Sequence, residues 1–386
     1  MIERMDALTT PLPKAWQKIR LGDIAEIIGG GTPSTQITSF WNGSINWFTP
    51  TEIGITKYVY KSQRTITPLG LKKSSAKLLP IGTILLTSRA NIGDCAILKV
   101  VATTNQGFQS LIPLEKINNE FLYYLMLTLK NKLLKLASGS TFLEVSPNKI
   151  KNLLIPLPPL NEQIAIANVL SDVDRYLYSL DALILKKESV KKALSFELLS
   201  QRKRLKGFNQ AWQRVRLGDI CEITTGSLDA NEMVHYGKYR FYTCAKEYYF
   251  IDKYAFDTEA ILISGNGAYV GYVHYYKGKF NAYQRTYVLD NFSEHIIFVK
   301  YFLTMFLQSH IQTNKNEGNT PYIVMATLKD FKIFLPPLNE QIAIANILSD
   351  LDSEIISLKN KKRQFENIKK ALNHDLMSAK IRVLNK

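Results

Sequence analysis

Three cysteines in 386 residues, Cys95, Cys221 and Cys244, share no CxxC spacing and cannot pair into an even framework. That excludes a disulfide-stapled secreted domain and a zinc ribbon, and it suits a reducing compartment. The five histidines (His235, His274, His295, His310, His374) show no metal-ligand spacing either. No run of about eighteen apolar residues occurs, so no membrane-spanning helix is expected. Met1-Ile2-Glu3-Arg4-Met5-Asp6 carries charges where a signal peptide needs an apolar core, so a soluble cytoplasmic protein is expected. Nucleotide motifs are missing too. Gly29-Gly30-Gly31 lacks the Lys-Ser/Thr of a phosphate-cradling loop and reads as a structural turn, and no GxGxxG opens a helix after a strand. With no catalytic constellation, the chain reads as a binding protein rather than an enzyme, with no metal and no cofactor of its own. Acidic residues are the scarce charge, 33 against 49 basic, and the net +16 favours a polyanionic partner, most often nucleic acid. Ribosomal and membrane-surface proteins share that bias.

What the chain has in abundance is repetition. Residues 158–174, Pro-Pro-Leu-Asn-Glu-Gln-Ile-Ala-Ile-Ala-Asn-Val-Leu-Ser-Asp-Val-Asp, return at 336–352 with only Val169→Ile347 and Val173→Leu351 changed. One unit is built twice. Each copy opens with a Pro-Pro stop, Asn161 or Asn339 as N-cap and a glutamate in the first turn, a helix-start signature. The first helix is expected over about residues 161–204, and roughly 45 residues at ~1.5 Å each span about 65 Å. Ile166, Leu170, Val173, Leu177, Leu180 and Ile184 alternate at spacings of four and three, with Leu194 and Leu198 in the same register. Ile344, Leu348, Leu351, Ile355, Leu358, Phe365, Leu372 and Leu376 do so in the second copy. Such a narrow stripe must pack on another helix, and the other copy is the expected partner. Packing on each domain's own core is the alternative.

A second repeat brackets the modules. Trp16-Gln17-Lys18-Ile19-Arg20-Leu21-Gly22-Asp23-Ile24 recurs as Trp212-Gln213-Arg214-Val215-Arg216-Leu217-Gly218-Asp219-Ile220, at an offset of 196 rather than 178, so the second module is shorter by 18 residues. The frame is duplicated while the middles differ, which suggests the same task on two targets. Between frame and helix, residues 81–88 and 95–101 read as strands. Residues 120–136 and about 296–311 read as helices, Gly139-Ser140-Thr141 and Gly318-Asn319-Thr320 as closing elements, and a strand-like run precedes each Pro-Pro stop. The expected fold is α+β: two tandem globular domains and two long antiparallel coiled-coil helices. Expected boundaries are 1–157 and 207–335 for the domains, and 158–206 and 336–386 for the helical spacers.

The second middle interleaves aromatics with cations. Tyr236, Lys238, Tyr239, Arg240, Tyr242, Lys246, Tyr248 and Tyr249 stand close together, as do Tyr269, Tyr272, His274, Tyr275, Tyr276 and Lys277. This composition suits a sugar–phosphate surface; strand-face packing is the alternative for any single tyrosine. Asn319-Thr320-Pro321-Tyr322 is similar to the Asn-Pro-Pro-Tyr motif of DNA adenine methyltransferases, but Thr320 replaces a proline and the aligned stretch beginning Gly139-Ser140-Thr141 has no such motif.

Over essentially its whole length the chain resembles type I restriction-modification specificity subunits. The resemblance rests on Pro156-Leu157-Pro158-Pro159-Leu160-Asn161-Glu162-Gln163, Leu335-Pro336-Pro337-Leu338-Asn339-Glu340-Gln341, the Trp…Leu-Gly-Asp-Ile openings, Gly30-Gly31-Thr32-Pro33-Ser34, Ile92-Gly93 and Asn105-Gln106. It implies two target recognition domains on paired antiparallel helices with pseudo-twofold symmetry. Each domain reads one half of a bipartite site on double-stranded DNA, and helix length sets the spacer. It also implies docking of two methyltransferase (M) subunits, which carry S-adenosylmethionine and methylate adenine N6, and of restriction (R) subunits for cleavage. Base-edge readers are expected at Thr32, Ser34, Arg89, Asn91, Asn105, Gln106 and Gln109 in the first module. In the second they are expected at Lys246, Asn266, Tyr269, Asn281, Tyr283, Gln284 and Arg285. The exact repetition of Glu162, Gln163, Glu340 and Gln341 marks them as an M-subunit surface or as capping residues. A self-sufficient enzyme would need a cofactor motif. A DNA-binding coiled-coil scaffold or regulator without modification partners is the remaining alternative.

Overall fold

The computed structural model describes residues 12–139, 143–313 and 321–383. The N-terminal charged stretch, Ser140, Thr141 and residues 318–320 lie outside the described residues. The chain divides into two compact units, Met1–Asp181 with Lys361–Lys386, and Ala182–Asn360.

The first unit contains β1 (Gln17–Arg20), β2 (Ala25–Gly29), β3 (Trp41–Phe48), β4 (Tyr58–Val59), β5 (Arg64–Ile66), α1 (Pro68–Lys72), β6 (Ile84–Leu86), β7 (Cys95–Leu98), β8 (Ala102–Thr104), β9 (Gln109–Pro113), α2 (Asn119–Thr128), α3 (Lys130–Leu136), α4 (Pro147–Lys151) and β10 (Leu154–Leu157). Strands run in the order β2-β9-β6-β7-β4 in one sheet and β5-β3-β8 in another, while β1 pairs antiparallel with β10. β6 and β7 are buried throughout, so alternate residues feed two cores. Ile84, Leu86 and Ile97 meet Phe121, Leu122 and Leu125 of α2, while Leu85, Ala96 and Leu98 meet Phe48 and Phe108. Asn118 caps α2 by accepting from Phe121 N (2.9 Å). The helix expected over 120–136 is two helices, broken at Leu129.

After α5 (Leu160–Leu199), the second unit contains β11 (Gln213–Arg216), β12 (Glu222–Thr225), β13 (Tyr239–Tyr242), β14 (Tyr249–Ile251), β15 (Phe256–Ser264), β16 (Val273–Ala282), β17 (Thr286–Asp290), α6 (Ile296–Thr313), α7 (Met325–Lys329) and β18 (Lys332–Leu335). Its sheet order is β12-β17-β15-β16-β13-β14, and β11 pairs antiparallel with β18. Phe298, Phe302, Leu303 and Leu307 of α6 pack on Ile261, Ile263 and Leu289.

Each module leads into a 40-residue helix, α5 (Leu160–Leu199) and α8 (Leu338–Met377). Pro159 O accepts from Glu162 N and Gln163 N, both at 3.0 Å, so Asn161 lies inside the first turn and does not cap it. α5 ends at Leu199 rather than Arg204, just before Gln201 takes a positive φ of 63°. Within the first unit α5 faces the tail of α8 through Asp174–Lys369, Asp181–Lys362 (2.6 Å) and the Tyr176–Phe365 rings (4.7 Å between centroids). Within the second, the tail of α5 faces the start of α8 through Glu188–Lys359 (2.6 Å), Lys187–Glu354 (2.8 Å) and Lys191–Asp352. From Asp174–Lys369 to Asp181–Lys362 in the first unit, and from Glu188–Lys359 to Lys191–Asp352 in the second, one residue number rises as the other falls, so the pairing is antiparallel. The stripe ends differently from the sequence expectation: Ile166, Leu170, Leu372 and Leu376 enter the first core, and Leu194, Leu198, Ile344 and Leu348 the second. Among the described residues no helix is long and apolar enough to cross a membrane.

Candidate nucleic-acid interface

In the first unit the loops following β2, β3, β6 and β8 are tied to one another by backbone hydrogen bonds. Gly31 N donates to Thr104 O (2.8 Å), Asn105 N to Phe48 O (3.1 Å), Ser88 N to Gly107 O (2.8 Å) and Val145 N to Ser88 O (3.0 Å). The second unit repeats the frame. Gly226 N donates to Thr286 O (3.3 Å), Tyr283 N to Tyr242 O (2.9 Å), Gly265 N to Arg285 O (2.8 Å) and Ile323 N to Gly265 O (2.9 Å). Glycine is required where the first loops pass. A Cβ on Gly30 would sit 1.9 Å from Asn105 O, and one on Gly226 1.8 Å from Ala282 O. Both turns after the central strand close alike, Asp94 N on Asn91 O (3.1 Å) and Tyr272 N on Tyr269 O (2.9 Å).

The side chains mounted on this shared frame differ. In the first unit the Thr32 hydroxyl donates to the Gln106 carboxamide oxygen, and Arg89 pairs with Glu144 at 3.0 Å. Ser34, Asn91 and Gln106 are exposed, Asn91 with φ 51°, and Asn105 Oδ1 accepts from Gly107 N at 2.8 Å. In the second, Lys246 lies 5.0 Å from the Tyr269 ring centre, the half-buried Asn266 pairs through its backbone with Tyr322 in an isolated β-bridge, and Gln284 and Arg285 are exposed beside half-buried Tyr283. Two expected readers are elsewhere. Gln109 opens β9, buried against Gly29, and Asn281 is buried in β16, donating to Lys253 O (3.1 Å) and accepting from Ala282 N (2.9 Å). Both stand in strands whose pairing turns the side chain inward, where no base edge reaches.

The aromatic–cation cluster divides between surface and sheet packing. Tyr236, Tyr248, Tyr249, Tyr269 and Tyr272 are exposed. Tyr275 donates to Glu259 (2.6 Å), and Lys277 pairs with the same carboxylate (3.0 Å). Arg240 lies between the rings of Tyr248 (4.2 Å) and Tyr276 (4.5 Å). Burial opposes its charge, yet the Tyr242 hydroxyl and the neighbouring phenols raise its pKa. Burial holds the His274 imidazole below its ordinary value, so it is neutral near pH 7 and sets its Nε2 against Ala245 O (2.9 Å) rather than against a phosphate.

The four repeated polar residues at the helix starts face inward, with at most 3 % exposure. Glu162 accepts from Trp16 Nε1 (3.0 Å) and from Arg382, whose Nη2 lies at 2.9 Å. Glu340 likewise accepts from Trp212 Nε1 (3.3 Å) and, twice, from Arg204 (3.0 and 2.7 Å). Gln163 accepts from Asn118 N (2.8 Å) and donates to Pro158 O (2.9 Å); Gln341 accepts from His295 N (3.0 Å) and donates to Pro336 O (2.9 Å). Folded in this way they offer a partner no surface. The physical reason is that each glutamate joins module, helix start and the arginine beyond the distant helix, and each glutamine ties module to helix start, which the sequence expectation of polar residues outside the core overlooked. Their arginine partners were missed, although Arg204 and Arg382 stand at the same offset of 178 as the repeat.

The type I restriction modification DNA specificity domain family model matches residues 13–187 and 209–367. The chain is 30% identical to the MjaIX type I restriction enzyme specificity subunit of Methanocaldococcus jannaschii, over 96% of this chain and 95% of that one. It is 40% identical to the EcoDI specificity subunit of Escherichia coli over 41% of this chain and 35% of that one. Its fold is similar to the S subunit of a type I restriction-modification system from M. genitalium, with a TM-score of 0.63 at 18% identity, covering 97% of this chain and 99% of that one.

Proposed function

The chain belongs to the type I restriction-modification specificity subunits, the non-catalytic DNA-recognition subunits of those systems, and from that premise we propose that it reads a bipartite site on double-stranded DNA. Each module, 1–157 and 207–335, takes one half-site. The observation that carries this reading is the loop frame built twice with unlike side chains, a common scaffold offering two different sets of donors and acceptors. Thr32, Ser34, Arg89, Asn91, Asn105 and Gln106 are the readers of one half. Lys246, Asn266, Tyr269, Tyr283, Gln284 and Arg285 are the readers of the other. Arginine, lysine, asparagine and glutamine match base-edge acceptors and donors in the major groove, and exposed tyrosines suit the backbone.

The helices, 158–206 and 336–386, act in this proposal as an antiparallel coiled coil with pseudo-twofold symmetry whose length sets the spacer between half-sites. Forty helical residues reach about 60 Å, and duplex half-sites recur about every 34 Å. Methyltransferase subunits, carrying S-adenosylmethionine for adenine N6 methylation, dock on the helix starts. Restriction subunits join them for cleavage in the cytoplasm. Glu162, Gln163, Glu340 and Gln341 shape that docking surface from beneath. The exposed apolar pairs Leu160 with Ile164 and Leu338 with Ile342, repeated at the same positions of both helices, form its outer face.

Long-read methylome sequencing of a host expressing the chain with its neighbouring methyltransferase subunit, against a host lacking the chain, tests the proposal. A bipartite N6-methyladenine motif that vanishes with the chain is the expected result. A stable complex that leaves no motif would point instead to a DNA-binding scaffold without modification activity.

A further inference from the structure

Trp41 and Trp47, near the two ends of β3, are buried at 7 % and 3 % exposure, and their rings meet edge to face at 5.0 Å. A buried indole N–H needs an acceptor. Both acceptors lie in one loop: Trp47 Nε1 donates to Gly31 O (2.9 Å) and Trp41 Nε1 to Ser34 O (3.0 Å). The loop has no slack behind it, since a Cβ on Gly31 would lie 2.3 Å from Ala76 N. From β5 the Arg64 guanidinium covers the Trp41 ring at 3.7 Å. Between the two pinned carbonyls stands Thr32, whose hydroxyl holds the carboxamide oxygen of Gln106 and leaves that side chain's N–H donors for an outside acceptor. The corresponding loop of the second unit is held differently, by Gln284 N donating to Leu228 O at 2.9 Å.

We infer that Trp41 and Trp47 are positioning residues for base readout by the first module: their indole N–H groups fix the loop carrying Thr32 and Ser34 against Gln106. The inference rests on the proposed reading of DNA by this loop frame. A loop free to shift by a fraction of an ångström would still bind phosphate but would lose the geometry that distinguishes one base edge from another.

Trp47→Phe and Trp41→Phe each keep an aromatic ring and delete one N–H. Methylome sequencing, with methylation rates on oligonucleotides carrying single-base changes in either half-site, is expected to show one position of one half-site becoming degenerate. Discrimination there should fall about tenfold or more, while the other half-site and the spacer stay as in the parent. Unchanged discrimination in both variants, whatever their melting temperatures, overturns the inference. Loss of all methylation in both would assign the indoles to folding of the module and overturn it equally. Absence of a bipartite motif with the parent chain refutes the underlying DNA-reading proposal instead, so the two failures are distinguishable.

Discussion

Glu162 is a carboxylate with 4 % side-chain exposure, balanced by an indole donor and an arginine fork. An ionised carboxylate at such a depth is tolerated only while paired, and removing one partner costs more than the pair contributes. Arg382→Ala should therefore destabilise the first unit by roughly 2–3 kcal/mol, below the ~3–5 kcal/mol of a fully buried pair because the arginine is a third exposed. Adding Glu162→Gln should recover part of the loss. Denaturant unfolding of the single and double variants decides this, and additive losses would rule out the pairing. Asp352 gives a pH signature. Burial opposes its ionisation, but Lys191 and the Tyr301 hydroxyl (2.7 Å) more than offset that and lower its pKa from 3.8. A lowered folded pKa stabilises above the unfolded value and is lost as pH falls through the folded one. Melting temperature should fall as pH drops below 3.8, and Asp352→Asn should flatten that slope. An equally steep profile in the variant would contradict the assignment.

At the scale of elements, the long helices were legible because seventeen residues recur with two changes and their apolar positions alternate by four and three. The strand-like run before each Pro-Pro stop is a strand in both units, β10 and β18. What the stripe could not reveal is that its ends enter domain cores, since Ile166 and Ile344 look the same whether a helix or a sheet covers them. Gln109 and Asn281 were misread because strand pairing, a long-range property, decides which way a polar side chain faces. The brackets were illegible for a related reason, as Glu162 meets residues 146 positions upstream and 220 downstream. With these residues buried, the exposed apolar neighbours Leu160, Ile164, Leu338 and Ile342 form the outer face of the helix starts. Ile164→Asp with Ile342→Asp places charge on the proposed docking face, where each isoleucine is about 40 % exposed. Folding should change little, since surface substitutions usually fall within about ±0.5 kcal/mol, while co-purification with the methyltransferase subunit should drop at least about tenfold, a change of ~1.4 kcal/mol. Undiminished co-purification would move the docking face elsewhere.

On the scale of the whole molecule, the two units differ in how the chain supplies them. Ala182–Asn360 is one continuous stretch holding helix tail, module and helix start, whereas the first unit takes its helix tail from the far end of the chain. That tail brings Leu376 and Met377, at 1 % and 4 % exposure, into the first core, hydrogen-bonds Asn373 to Tyr124 O (3.1 Å), and carries Arg382 to Glu162. Two buried side chains at about 1.5–3 kcal/mol each, with the bracket besides, are comparable to the ~5–15 kcal/mol that stabilises a typical domain. Residues 182–360 expressed alone should thus unfold in one cooperative transition. Residues 1–181 should be unfolded or partly folded alone and should gain a cooperative transition when a peptide of residues 361–386 is added, with a midpoint rising with peptide concentration as mass action requires. Circular dichroism melts of the fragments measure both. A cooperative melt of residues 1–181 that ignores the peptide would show that the tail merely decorates the first core, and Arg382→Ala would then be expected to cost little as well.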